Sequence, residues 1–279
     1  MLRSILLNDE GTQINERTQR VRDVGSAAQS NALPGSSPEG ARDEREAAAR
    51  VQRMFAQITP RYDLLNHLLS FNLDRVWRRR AANRVAHILQ NSEARVLDLC
   101  CGTGDLAFAL ARKRAGNGAI ISGADFVEPM LTRAREKARS FGERVTFSAA
   151  DALQLPFPDS TFDLVTSAFG FRNLANYESG MREIARVLKP SGEVGILEFS
   201  EPGSGPLAGL FRFYFRKILP RLGGAISGSG EAYSYLPASV GRFPSPQELA
   251  SLMKRCGFTA VQFEAWNFGS VLLHRARRE

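Results

Sequence analysis

Val96-Leu97-Asp98-Leu99-Cys100-Cys101-Gly102-Thr103-Gly104-Asp105-Leu106 reads as a buried strand that runs into a glycine turn and opens a helix. Such a turn lets the backbone approach a ligand closely and aims helix N-terminal amides at it. A nucleotide-like ligand is therefore expected beyond the carboxyl end of this strand, in an open α/β sheet.

Downstream, short apolar runs alternate with helical ones. Strands are predicted at 95–100, 119–125, 145–150, 162–168, 193–199, 260–265 and 270–275, with helices at 105–113, 129–140, 178–188 and 246–256. The last helix carries its own punctuation: Ser245-Pro246-Gln247-Glu248 is a capping box with proline at the first helical position, and Gly257 ends it. Alternating strand and helix imply a mostly parallel, seven-stranded sheet covered on both faces. Only residues 266–269 separate the last two strands, too few for a crossover, so they are predicted to form an antiparallel C-terminal hairpin at the sheet edge.

Two further strand ends converge on the glycine turn. Asp125 closes the second strand 21 residues past Gly104, where a carboxylate accepts hydrogen bonds from both ribose hydroxyls. Asp151-Ala152 closes the third, where a carboxylate and a backbone amide can read an adenine edge. Two cofactors satisfy this geometry. Gly102-x-Gly104-x-x-Ala107 fits the dinucleotide fingerprint and keeps a nicotinamide dehydrogenase in view. Asp98 inside the strand and Asp105 at the helix start, however, would repel a pyrophosphate. S-adenosyl-L-methionine carries no phosphate, and its sulfonium and ammonium groups favour such acids, so a methyltransferase leads.

Composition narrows the class. The chain has 279 residues, 43% hydrophobic and 24% charged, the balance of an ordinary globular protein. It contains no run of about 20 apolar residues, which argues against an integral membrane protein. Cys100 and Cys101 are adjacent and Cys256 is distant, so neither a disulfide framework nor a four-thiolate zinc site is expected, and a cytoplasmic location is. His67, His87 and His274 lack partners at ligand spacing, and no metal is expected. Residues 1–50 are read as a disordered extension, because 31–40 is rich in Gly, Ser and Pro and no apolar period is sustained; the domain is taken as 51–279. The apolar start at 1–7 is too short for a secretory signal and is followed by Asp9 and Glu10. Of the net charge of +8, this extension holds seven arginines against eight acids, leaving +9 on the remainder. A basic body suits an anionic partner such as nucleic acid, a phospholipid surface or a phosphorylated substrate.

Three stretches go further. Tyr62-Asp63-Leu64-Leu65-Asn66-His67-Leu68-Leu69-Ser70 with Arg75-Val76-Trp77, then Phe169-Gly170-Phe171-Arg172-Asn173, then Arg186-Val187-Leu188-Lys189-Pro190-Ser191-Gly192 with Glu198-Phe199-Ser200, resemble the ubiquinone/menaquinone biosynthesis C-methyltransferases. Tyr233-Ser234-Tyr235-Leu236 with Phe243-Pro244 is similar to that family's C-terminal segment. The resemblance covers about 51–275 and implies a class I methyltransferase (Rossmann-like) fold. It also implies S-adenosyl-L-methionine held by Asp98, Gly102, Thr103, Gly104, Asp125, Asp151, Ala152 and Ala168. Departures are Asp74 where the family usually has histidine, Ser191 where it usually has glycine, the Cys100-Cys101 pair, and Ala168 for a serine that some members use.

What the resemblance implies is methyl transfer to a ring carbon of a prenylated quinol: demethylmenaquinol first, a ubiquinone-pathway benzoquinol second. A noncatalytic member of a quinone-biosynthesis complex is a third reading. Arg172 is expected to stabilise the phenolate, directly or through water, Asn173 to bind a ring oxygen and Tyr62 to position the quinol. Ser167-Ala168-Phe169-Gly170 lacks the amide and prolines of enzymes that methylate a flipped base, so no nucleic acid is expected. Arg78-Arg79-Arg80 is then read as a helix face toward lipid phosphates. Residues 206–220 are amphipathic, and 223–230 are expected to form a lid with Tyr233 and Tyr235. Peripheral contact with the inner face of the membrane is expected, and a homodimer is compatible with the sequence.

Overall fold

Strand β1 (Arg95–Leu99) alternates between two cores. Leu97 and Leu99 pack with Met181, Ile184, Leu249 and Met253 on one face of the sheet. Val96 packs with Leu106, Leu110 and Leu131 on the other. Because strand side chains alternate with a period of two, Asp98 shares the face of Val96.

The computed structural model describes residues 35–36, 38–114, 118–142, 144–202, 209, 212–218, 221 and 230–279. Before β1 come α1 (Glu44–Ile58), α2 (Tyr62–Leu69), α3 (Leu73–Arg84) and the short α4 (Ala86–Leu89). After it come α5 (Asp105–Ala111), β2 (Ile120–Asp125), α6 (Glu128–Ala138), β3 (Val145–Ala149), β4 (Phe162–Ala168), α7 (Tyr177–Val187) and β5 (Leu188–Phe199). The chain closes with α8 (Gly230–Arg242), α9 (Pro246–Arg255), β6 (Phe258–Trp266) and β7 (Val271–Arg278). The predicted capping box is present at α9, and Gly257 follows it at φ 86°.

The seven strands form one sheet in the order β3-β2-β1-β4-β5-β7-β6. Pairs from β3 to β5 are parallel, and β7 runs antiparallel to both β5 and β6. The hairpin therefore turns back, so that β6 is the edge and β7 lies inside. Strand order reverses between β1 and β4, the switch point at which open α/β sheets bind ligands. Two non-glycine residues with left-handed backbone stand there, Cys100 (φ 54°) and Phe169 (φ 61°). Such strain is held only where the surroundings fix it.

Over the carboxyl ends of the strands, α1, α2 and α8 form a cover with its own cluster of Val51, Met54, Ile58, Leu65, Leu69 and Tyr235. Here the boundary expected at residue 51 is corrected. Helix α1 begins at Glu44, because Asp43 caps it by accepting the Glu46 N–H at 2.8 Å. Upstream of it, the Ser36 N–H donates to Leu174 O (2.7 Å) and its hydroxyl to Asn173 O (2.9 Å). Of the amphipathic stretch 206–220, the described part includes a π-helical turn, Tyr214–Ile218, whose Tyr214 hydroxyl donates to Leu69 O (2.8 Å). The lid candidate at 223–229 and the Tyr233 side chain lie outside the described residues.

Candidate active site

Four strand ends and the helical cover enclose a cavity of about 930 Å³, its open mouth included. Its floor is the glycine turn. Gly102 (φ 53°) donates its N–H to Asp125 Oδ2 at 2.8 Å, and the Val127 N–H donates to Asp125 Oδ1 at 2.9 Å. Each oxygen of Asp125 keeps a lone pair for a ligand hydroxyl. Gly104 was expected to touch the cofactor, but it lies outside the cavity wall. A Cβ there would stand 2.7 Å from Phe147 and 2.8 Å from Phe108 at φ 86°, so glycine is needed for the turn and for packing.

Asp98 is 0% exposed and faces the cavity from within β1. Its Oδ2 accepts the Ala107 N–H (2.9 Å) and its Oδ1 the Thr166 hydroxyl (3.1 Å). Burial outweighs both hydrogen bonds and pushes the carboxyl up to about 7. Burial likewise raises Asp125, although the amides of Gly102 and Val127 oppose it. At Asp105, burial is outweighed by the charges of Arg78 and Lys137, which hold it below the usual range. Asp151 and Ala152 line the far wall, with Asp151 Oδ1 accepting the Leu153 N–H (2.9 Å), and Ala168 lines the end of β4. Thr103 also lines the wall, and its hydroxyl is donated to Asp63 of α2. Lys137 Nζ bridges Asp63 (3.2 Å) and Asp105 (2.9 Å), fastening the cover to the floor.

The cover contributes Ala48, Val51 and Phe55 of α1 and Tyr62 of α2, and α3 contributes Arg78. The sequence reading began the domain at residue 51, inside α1, and turned Arg78 toward lipid phosphates. In the structure Arg78 is buried and faces the cavity, whereas Arg79 and Arg80 are exposed. Burial raises the Tyr62 hydroxyl above its ordinary range and raises both the Cys100 and Cys101 thiols well above theirs. Tyr62 is thus a neutral donor and the two cysteines are inert thiols.

The expected trio of Tyr62, Arg172 and Asn173 is brought together only in part. Tyr62 and Asn173 line the cavity. Arg172 is turned from it: Nη1 donates to Glu198 Oε2 (2.9 Å) and to Phe169 O, Nε to Ser239 (3.4 Å), and the Arg172 backbone N–H to Glu198 Oε1 (3.0 Å). The pair is buried, with side chains 6% and 2% exposed, and its charges cancel. It clamps the turn that presents Asn173. Tyr235 also stands behind that turn, its hydroxyl donating to Asn173 Oδ1 at 3.2 Å.

Among the described residues, four carboxylates and one cation, Arg78, thus line the cavity. Such a wall rejects a pyrophosphate and fits a ligand that carries positive charge against Asp98. The residues fit S-adenosylmethionine on that ground.

Residues 42–278 match the ubiE/COQ5 methyltransferase family. The demethylmenaquinone methyltransferase of Thermus thermophilus is 51% identical over 221 residues, 79% of this chain and 98% of that protein. The ubiquinone/menaquinone biosynthesis C-methyltransferase UbiE of Geobacter sulfurreducens is 43% identical over 84% of this chain and 90% of its own. Among solved structures, a SAM-dependent methyltransferase from Thermotoga maritima superposes with a TM-score of 0.56 at 18% identity, covering 81% of this chain and 99% of that one, a likeness of fold.

Two stability predictions follow from the buried charges. Between about pH 4 and pH 7, folded Asp98 holds a proton that the unfolded chain has released, so this group makes stability fall as pH rises through that window. Asp98→Asn should raise the ligand-free melting temperature, with a gain that is absent near pH 4, grows to pH 7 and is flat above; a pH-independent gain would refute the assignment. Arg172→Ala strands Glu198 and should cost about 3–5 kcal/mol in urea unfolding, partly restored by adding Glu198→Gln. Unchanged stability of Arg172→Ala would refute the clamp.

Proposed function

This chain belongs to the ubiE/COQ5 methyltransferase family, and we propose that it methylates a ring carbon of demethylmenaquinol to give menaquinol. The enzyme is an S-adenosylmethionine-dependent C-methyltransferase. The observation that supports the acceptor is the 51% identity, over 98% of its length, to a protein named demethylmenaquinone methyltransferase. A ubiquinone-pathway benzoquinol is the second reading.

When bound, S-adenosylmethionine supplies an electrophilic methyl group on a sulfonium sulfur. The chain's own residues then have three tasks. Asp98 offers its carboxylate to the ammonium end of the donor, Asp125 to the ribose hydroxyls, and Asp151 with the Ala152 amide to the adenine edge. Gly102, Thr103 and Ala168 leave room for the donor to lie across the switch point. On the acceptor side, a ring carbon becomes nucleophilic only when the neighbouring hydroxyl is deprotonated. The Tyr62 hydroxyl and the Asn173 amide are the donors that support a phenolate there, in a cavity closed by apolar side chains of α1. Arg172 acts one step back, by holding Asn173 in place through Glu198. Displacement at the methyl group needs donor and acceptor held in line with water excluded, which is the work of the cover.

A prenylated acceptor resides in lipid, and we propose that α2 meets that surface. Among the described residues no helix is long and apolar enough to cross a membrane. Leu64, Leu68 and Phe71 are 62%, 52% and 72% exposed, and Phe213, beside the Tyr214 that packs on Phe71, is 57% exposed. Leu64 and Leu68 share one helix face, and Arg61, Arg75 and Lys217 are exposed around them.

Label from radioactive S-adenosylmethionine should enter demethylmenaquinol, much less a matched benzoquinol, and neither with Asp125→Ala. Label in the benzoquinol alone would reverse the choice of acceptor. For the lipid face, replacing Leu64, Leu68 and Phe71 together by serine should cut sedimentation with phosphatidylglycerol vesicles by at least about tenfold, since each loses about 1.5–3 kcal/mol of apolar burial when fully inserted. Unchanged sedimentation would move the contact elsewhere.

A further inference from the structure

Arg78 is the cation in a wall of acids, and the roles given above leave it without one. Two contacts fix its guanidinium. One turn back on α3, Asp74 accepts from Nη1, and Phe169 lies beneath the guanidinium plane with its ring centroid 5.3 Å from Cζ. Asp74 is itself held, accepting from Ser70 Oγ at 2.7 Å and standing 2.9 Å from His67 Nδ1. The side chain is thus pre-set and cannot swing out to solvent, being 7% exposed.

Arginine carries five donors in a planar fork. Among the described residues Asp74 is the one acceptor that the Arg78 side chain has. Arg78 lines the cavity, as do Asp98 and Tyr62. With one acceptor in the protein, the fork keeps donors for an acceptor carried by what binds in the cavity. A carboxylate matches the fork in shape and charge.

The amino-acid end of S-adenosylmethionine carries an ammonium and a carboxylate on one carbon, and the wall offers an acid and a guanidinium side by side. We propose that Arg78 binds the α-carboxylate of the donor while Asp98 takes its ammonium group. The pairing rests on the donor site assigned above. It gives the zwitterion one counter-charge for each of its own. It also makes Asp74 a positioning residue, acting on the donor through Arg78.

The test is a ligand comparison by calorimetry between S-adenosylmethionine and decarboxylated S-adenosylmethionine, which keeps the sulfonium and the amine and lacks the carboxylate alone. Wild type should bind the former about 10- to 100-fold more tightly, the range of a charge-assisted pair. Arg78→Gln should erase that preference, weakening the full donor while changing the decarboxylated one less than about threefold, and Arg78→Lys should keep part of it. Equal binding of the two ligands by wild type overturns the proposal and leaves the methyltransferase reading intact; binding of neither overturns both. Equal weakening of both ligands by Arg78→Gln would make Arg78 a structural partner of Asp74. Unchanged donor affinities with a raised KM for the quinol would give it to the acceptor. The wild-type comparison decides even where a variant fails to fold.

Discussion

A fully buried carboxyl group sits in an inner strand of this sheet, and the site is arranged around it. Asp98 holds its place because the strand period that turns Leu97 and Leu99 to one core turns it to the opposite face, against the first turns of α5. Two hydrogen bonds soften its burial without cancelling it. An acid in that position costs the empty protein stability and rewards a cation that enters. The glycine turn, which brings the chain across the strand end without side chains, leaves the space in which that cation can sit.

The second constraint is that the cover is fastened by charge. Thr103 and Lys137 on the floor meet Asp63 on α2, and Lys137 also meets Asp105. His67, Asp74 and Asp105 come within metal-ligand reach of one another. Asp74 is already paired with Arg78 and Asp105 with Lys137, so this group is part of the fastening. The apolar cluster of α1, α2 and α8 supplies bulk above the cavity, while the ionic contacts set where that bulk rests.

Much of this was legible from spacing alone. The strands and the helices between them were readable because buried runs and helical runs differ in period, and Asp98, Asp125 and Asp151 because each stands near the carboxyl end of a parallel strand. Helix α1 was misjudged at its start: Asp43-x-x-Glu46 is a helix-start pattern, but the Gly, Ser and Pro before it drew the boundary to residue 51. Arg78 was misplaced by its neighbours Arg79 and Arg80. Helical phase held the better signal, since Asp74, Trp77, Arg78, Ala81 and Ala82 all lie on the buried face. Arg172 could not be read correctly from its own motif, because the partner that cancels its charge, Glu198, comes from β5, 26 residues on. Gly104 looked like a cofactor contact because the packing of Phe108 and Phe147 around it arises only once helix and sheet are assembled.

The place of β7 bears on how the molecule is assembled. It follows β6 in the chain yet lies between β6 and β5, seven registered pairs joining it to β5 from Glu193↔Arg277 to Phe199↔Val271. As the chain emerges during synthesis, β6 has no strand to dock on until β7 arrives. Until then β5, the longest strand, shows a bare apolar edge that any other extended chain could extend. The sheet is completed last by a strand one in from its edge, so the late pairing of β7 governs both the completion of the fold and the interval during which a nascent chain is open to misassembly.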